Sequence, residues 1–154
     1  MSYKVKMLIP VLGMVMVLGY AAIKVVSSEA DEIERMLPPS ITNLASANTV
    51  EIKDGSGQVV LSGNFVDSDA KPDEVEKKAV LSGAGANTNA TGKAEIEISK
   101  MKNGVTEQEL EVEVSRLTAM AAFSLFVDGQ EVGTFTTDAK GGAEIEFSSN
   151  STSK

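Results

Sequence analysis

The sequence predicts an all-β fold: an antiparallel β-sandwich of seven or eight strands, preceded by one N-terminal hydrophobic helix that is either a transmembrane or a signal segment. Three observations predict it. Between Thr49 and Phe147 apolar and polar residues alternate with a period of two, the period of a half-buried strand. Turn sequences rich in Asp and Gly separate the alternating runs. Residues 7 to 23, MLIPVLGMVMVLGYAAI, form an uncharged apolar run of 17 residues.

That run comes first in the chain. It sits at the short end of what spans a hydrocarbon core of about 30 Å. Lys24 follows it, and a snorkelling Lys24 lets Val25 and Val26 lengthen the apolar stretch. Lys4 and Lys6 precede it, so positive charge lies on its N-terminal side. This bias places the N-terminus inside and the rest of the chain outside. Two readings of residues 1–26 compete, an uncleaved signal anchor and a signal peptide cut near the small residues Gly19-Tyr20-Ala21-Ala22, with a buried core helix as the remaining alternative.

Residues 27–48 read as a short helix and a lead-in. Ser28 is placed to cap a helix over Glu29 to Leu37, with acids in its first turn and Ile33, Met36 and Leu37 on one face. Pro38-Pro39 ends it. Residues 38–48 then form a linker or lead-in strand.

The β domain occupies residues 49–147. Val50 and Ile52 alternate with Glu51 and Lys53, Asp54-Gly55-Ser56-Gly57 turns the chain, and Gln58 to Ser62 returns as a hairpin partner. Asn64 to Lys78, polar and interrupted by Pro72, reads as a loop with one helical turn at most; Ala79 to Ser82 is the next strand. Lys93 to Ile98 and Glu109 to Val114 alternate regularly. Phe123 to Val127, Asp128-Gly129 and Gln130 to Thr136 make a hairpin, with Asp-Gly suited to the two positive φ angles of a type I′ turn. Ala143 to Phe147 is the last strand, and residues 148–154 are a polar tail. The expected core is Val50, Ile52, Leu61, Ile96, Ile98, Leu110, Val112, Val114, Phe123, Leu125, Ile145 and Phe147. Val59 to Gly63 echoes Ala79 to Gly83, and Gly92 to Ile98 echoes Gly141 to Phe147, at unequal spacings that exclude a regular repeat array.

Composition narrows the chemistry. With no Cys and no His, disulfides, thiol nucleophiles, thiolate zinc sites and imidazole catalysis are all excluded. The chain has 14 basic and 22 acidic residues, and its first 26 positions hold three lysines and no acid. The other 128 residues therefore carry 11 basic and 22 acidic groups, a net charge of −11. Such a surface as a whole repels nucleic acid phosphates and anionic lipid heads, so no nucleic-acid partner is expected, and it suits solubility, cation binding or a basic partner.

From Ala79 to Phe147 the order of elements resembles the secreted chordin-type (CHRD) domains and related Ig-like modules. The residues that carry the resemblance are Leu81-Ser82-Gly83, Thr91-Gly92-Lys93-Ala94, Leu110 to Leu117, and Val127-Asp128-Gly129 through Gly133 to Asp138. They cover under half of the chain, and the His-containing segment of the chordin-type pattern is missing after Leu117. The resemblance implies an extracellular Ig-like β-sandwich without catalytic activity, and it transfers no site residue.

Candidate sites are few. Asp67, Asp69, Asp73 and Glu74 offer hard oxygen ligands at short spacing, but Pro72 stands where an EF-hand loop needs Gly and Lys71 where it needs a ligand. A solvated acidic loop explains them more simply. Glu95, Glu97, Glu109, Glu111, Glu113, Glu144 and Glu146 fall on outer strand faces. Paired carboxylates hydrolyse glycosides only in a cleft with one carboxyl in an apolar pocket, whereas regular alternation describes a wet face. If these strands are neighbours, Lys93, Lys100 or Arg116 must interleave to limit repulsion. Asn89-Ala90-Thr91 and Asn150-Ser151-Thr152 match the N-glycosylation acceptor.

The expectation is a non-enzymatic module with no cofactor, held at a cell membrane by residues 7–26 with its C-terminal domain outside, or released to the surface after cleavage. It would act in binding, adhesion or envelope structure. The alternative is a subunit of an extracellular filament or surface assembly, self-associating by strand addition through residues 40–48.

Overall fold

The structure, a computed structural model, describes residues 32–68, 74–101 and 104–150. The apolar segment of residues 1–26, the Ser28 cap, Asp69 and Asp73 lie outside the described residues. Among the described residues no helix is long and apolar enough to cross a membrane.

The fold is all-β, as expected. Ten strands are described: β1 (Glu32–Met36), β2 (Thr49–Asp54), β3 (Val59–Asn64), β4 (Val66–Asp67), β5 (Glu74–Gly83), β6 (Thr91–Lys100), β7 (Thr106–Ser115), β8 (Ala122–Val127), β9 (Gln130–Thr136) and β10 (Ala143–Ser148). They form one curled sheet in the order β1-β10-β7-β6-β5-β3-β2-β8-β9, with β4 paired to β5. All pairs are antiparallel except β1 with β10.

The eight strands read from alternation are all present. The two additional ones correct the sequence reading. Residues 32–36 form a strand, not the helix expected from the spacing of Ile33, Met36 and Leu37. An isolated nine-residue helix is marginal in water. Here the open edge of β10 offers backbone partners instead, in the register Ile33 with Ile145 and Arg35 with Phe147. The lead-in 40–48 contains no strand; it holds a 3₁₀ turn at Leu44–Ser46, capped by the Asn43 side chain, with Leu44 and Ala47 buried in the core. The stretch 64–78, expected as a loop, contributes β4 and the first half of β5. Lys77 explains part of this. Its ammonium donates to the Ala47 carbonyl at 2.9 Å, so a charged residue occupies an inward position.

The core lies inside the curl. Val50, Ile52, Leu61, Ile96, Leu110, Val112, Leu125 and Ile145 are essentially inaccessible, each contributing on the order of 1.5–3 kcal/mol of burial. Ile98 is only partly buried and packs on the core's margin. The ends of the sheet approach each other. The Arg35 guanidinium of β1 donates to the Thr134 carbonyl of β9. Gly133 of β9 lies so close to the Phe147 ring that a Cβ would sit 2.9 Å from it. The Asp128-Gly129 turn has φ values of 47° and 79°, as its hairpin requires.

The sequence echoes acquire a structural reason. Val59–Gly63 and Ala79–Gly83 lie in β3 and β5, which pair through Leu61 with Gly83 and Ser62 with Ser82. Gly92–Ile98 and Gly141–Phe147 lie in or lead into β6 and β10, which flank β7 on its two sides. Each presents the same alternation to the same neighbour.

Candidate functional site: an acidic strand face

The outer face of β1, β10, β7, β6 and β5 is a grid of carboxylates. Register sets its rows. One row runs Glu32, Glu144, Glu113, Lys93. The next runs Glu34, Glu146, Glu111, Glu95, Lys78. The third runs Ser148, Glu109, Glu97, Glu76. Like charges directly opposite one another are destabilising in a sheet, and two lysines offset part of the repulsion. Lys93 lies 3.0 Å from Glu113 and 3.7 Å from Glu111, and Lys78 lies 2.5 Å from Glu76 and 3.3 Å from Glu95. Hydrogen bonding to Glu113 raises the Lys93 pKa, and hydrogen bonding to Glu76 raises that of Lys78. Lys93 interleaves as the spacing anticipated; Lys78 does the same work from β5.

The two lysines serve the β5–β6–β7 side, and the β1–β10 edge is left crowded. The carboxylates of Glu32, Glu34 and Glu146 converge, their oxygens within 4.8 Å of one another. Burial, followed by the charge of Glu109, a hydrogen bond with Glu32, and the charges of Glu32 and Glu34, pushes the Glu146 pKa up to about 7. Burial also raises Glu109, reinforced by Glu97 and Glu107, and raises Glu144, reinforced by Glu111 and Glu32. Chemically, such a trio takes up a proton, and carboxylate oxygens at this separation are also of the kind that hold a hard cation. Among the described residues the trio is open to solvent: Glu32 and Glu34 are exposed and Glu146 is half-buried.

The trio was only partly legible. Alternation puts Glu146 on an outer face, but the spacing around Glu32 and Glu34 reads as a helix, which hides their meeting. The metal candidate of the sequence does not assemble in the described part. Asp67 is exposed in β4, with Lys77 3.6 Å away. Glu74 starts β5, three residues or about 10 Å along the strand from Lys77, the register partner of Asp67. Asp69 and Asp73 fall outside the described residues.

Other aspartates serve turns. The Asp128 carboxylate accepts from the Asn48 and Thr49 amides and the Thr49 hydroxyl. Burial works against ionisation there, but these donors prevail and lower its pKa. The Ser56 hydroxyl and the turn amides lower Asp54, and the amides of Gly142 and Lys140 lower Asp138. A shallow pocket of about 200 Å³ between residues 40–47 and the 127–130 turn contains Asp128, already occupied in this way. No protein-family model, curated protein or solved structure matches the chain.

Proposed function

We propose that this chain is a non-catalytic module held outside a cell membrane by residues 7–26, acting through its surface in binding, adhesion or envelope structure. Its curled sheet is read as an Ig-like β-sandwich, in keeping with the chordin-type resemblance. The observation that carries the reading is where β1 begins. Only residues 27–31 separate the apolar run from Glu32, already part of the sheet, so the domain starts directly at the anchoring segment. The acidic grid supports a surface role: its carboxylates stand on an open sheet face, with the lysines paired to them.

The alternative, assembly by strand addition, is less well supported. Its donor, residues 40–48, is anchored in its own domain by Leu44 and Ala47. The edges β1 and β9 are bridged by Arg35, so an added strand would have to open that junction.

Protease added to intact cells tests the reading. Digestion of the β domain is expected, with the chain in the membrane fraction beforehand. Complete protection together with recovery in the soluble cytosol would overturn it.

A further inference from the structure

We propose that the end of the domain formed by the loops 116–121 and 137–142 docks on the lipid headgroups of the membrane that holds residues 7–26. The inference rests on the tethered reading above.

Register defines this end. Glu32, where β1 begins, pairs with Glu144 at the start of β10. Ala143 pairs with Val114 at the end of β7, Thr91 with Ser115, and Ala122 with Thr136. The loops 54–58, 84–90, 116–121 and 137–142 therefore share one end of the sheet with the point where the chain arrives from its apolar run. From Val26 to Glu32 an extended chain reaches at most about 20 Å. Glu32, and with it the start of β1, cannot stand farther from the bilayer surface than this.

Its chemistry differs from the rest of the domain. Those four loops hold only two acids and two bases: Asp54, Asp138, Arg116 and Lys140. The acids face their own turns, where backbone amides occupy Asp54 and Asp138. The bases are exposed, as is Met120 at 72%. The rest of the domain carries the net negative charge. Glu32, Glu144 and Glu113 border this end, and the chain enters it through Glu29 and Asp31. Against an anionic leaflet it is therefore the neutral loops carrying Arg116 and Lys140, and not the β1–β10 edge, that face the lipid.

The loop is also built to hold Met120 and Arg116 outward. Both adopt positive φ, 55° and 63°, a conformation that costs a non-glycine residue free energy and needs support. The support is dense. The Met120 amide donates to the Asp138 carbonyl and the Leu117 amide to the Gly141 carbonyl. The buried Thr137 hydroxyl donates to the Thr118 carbonyl at 2.6 Å and accepts from the Ala121 amide. Leu117 points into the core while its neighbours face solvent. An apolar tip flanked by cations on a rigid loop suits the headgroup boundary.

The chain has no cysteine, so single labels are clean. The full chain is reconstituted in phosphatidylcholine–phosphatidylglycerol vesicles with a fluorophore on Met120→Cys, or on Val105→Cys at the far end of β7. Ten residues of strand put the two sites about 30 Å apart. A nitroxide at headgroup depth is expected to quench the 120 label several-fold more than the 105 label. Adding Arg116→Glu and Lys140→Glu is expected to reduce that quenching without releasing the chain from the vesicles. If the chain floats with the vesicles but both labels are quenched equally weakly, the docking inference is wrong and the tether stands. If the chain does not float with the vesicles, both readings fail.

Discussion

Replacing Glu146 by Gln should stabilise the domain at pH 8 and change little at pH 5. In the folded chain Glu146 faces Glu32 and Glu34 on β1, Glu109 and Glu111 on β7, and Glu144 on its own strand. Its pKa of about 7 against an ordinary 4.5 means that the folded state binds the proton more tightly than the unfolded chain. The proton-linked stability is thus complete below pH 4.5 and is lost as pH rises through 7. The shift corresponds to about 3 kcal/mol at full strength. The site is open to solvent on the Glu32 and Glu34 side, which brings the expected loss to about 1–2 kcal/mol. Glu146→Gln removes the charge and retains the hydrogen-bonding shape. Thermal melts followed by circular dichroism should show the variant about 3–10 °C above the parent at pH 8, with the gap closing at pH 5. Hydrogen exchange in 32–36 should slow in parallel, because the relieved strand is β1. A parent equally stable at both pH values, or a variant less stable at pH 8, would refute the reasoning.

Three further outcomes follow from the grid and the turns. Glu109→Gln should stabilise the domain by about 0.2–1 kcal/mol, since Glu109 stands opposite Glu97, whereas Glu113→Gln should be neutral or slightly destabilising because it loses Lys93; chemical denaturation distinguishes them. Thr137→Val should cost about 1–3 kcal/mol, because the Ala121 amide and Thr118 carbonyl lose their shared hydroxyl, and a cost below a few tenths would contradict that role. Gly133→Ala should cost about 1–3 kcal/mol by driving a methyl into the Phe147 ring, as read from the denaturation midpoint; an unchanged midpoint would contradict this packing.

What the sequence disclosed depended on whether the signal was local. The alternation in β6, β7 and β10 shows which side of each strand is wet, because side-chain direction follows residue parity alone. The Asp128-Gly129 hairpin was equally local, since its two positive φ angles belong to the turn residues themselves. The strand β1 was not legible. Its partner β10 lies 112 residues away in the register of Glu32 with Glu144, and its own spacing fits a helix. Ile33 is its only residue that is partly buried, so it leaves almost no alternation to read. Missing β1 meant missing the trio, because Glu32 and Glu34 reach Glu146 only through that pairing. The early part of β5 was hidden for another reason: Lys77 occupies an inward position and Pro72 precedes the strand, both signs of a loop.

The proposed anchored, outward-facing arrangement is tested most directly by single-cysteine accessibility in intact cells. Ser2→Cys and Val105→Cys variants of this cysteine-free chain are treated with a membrane-impermeant maleimide before and after permeabilisation. The 105 site is expected to react at once, while the 2 site, if the segment is retained, reacts only after permeabilisation. Labelling of Ser2→Cys on intact cells with protection of Val105→Cys would contradict the arrangement.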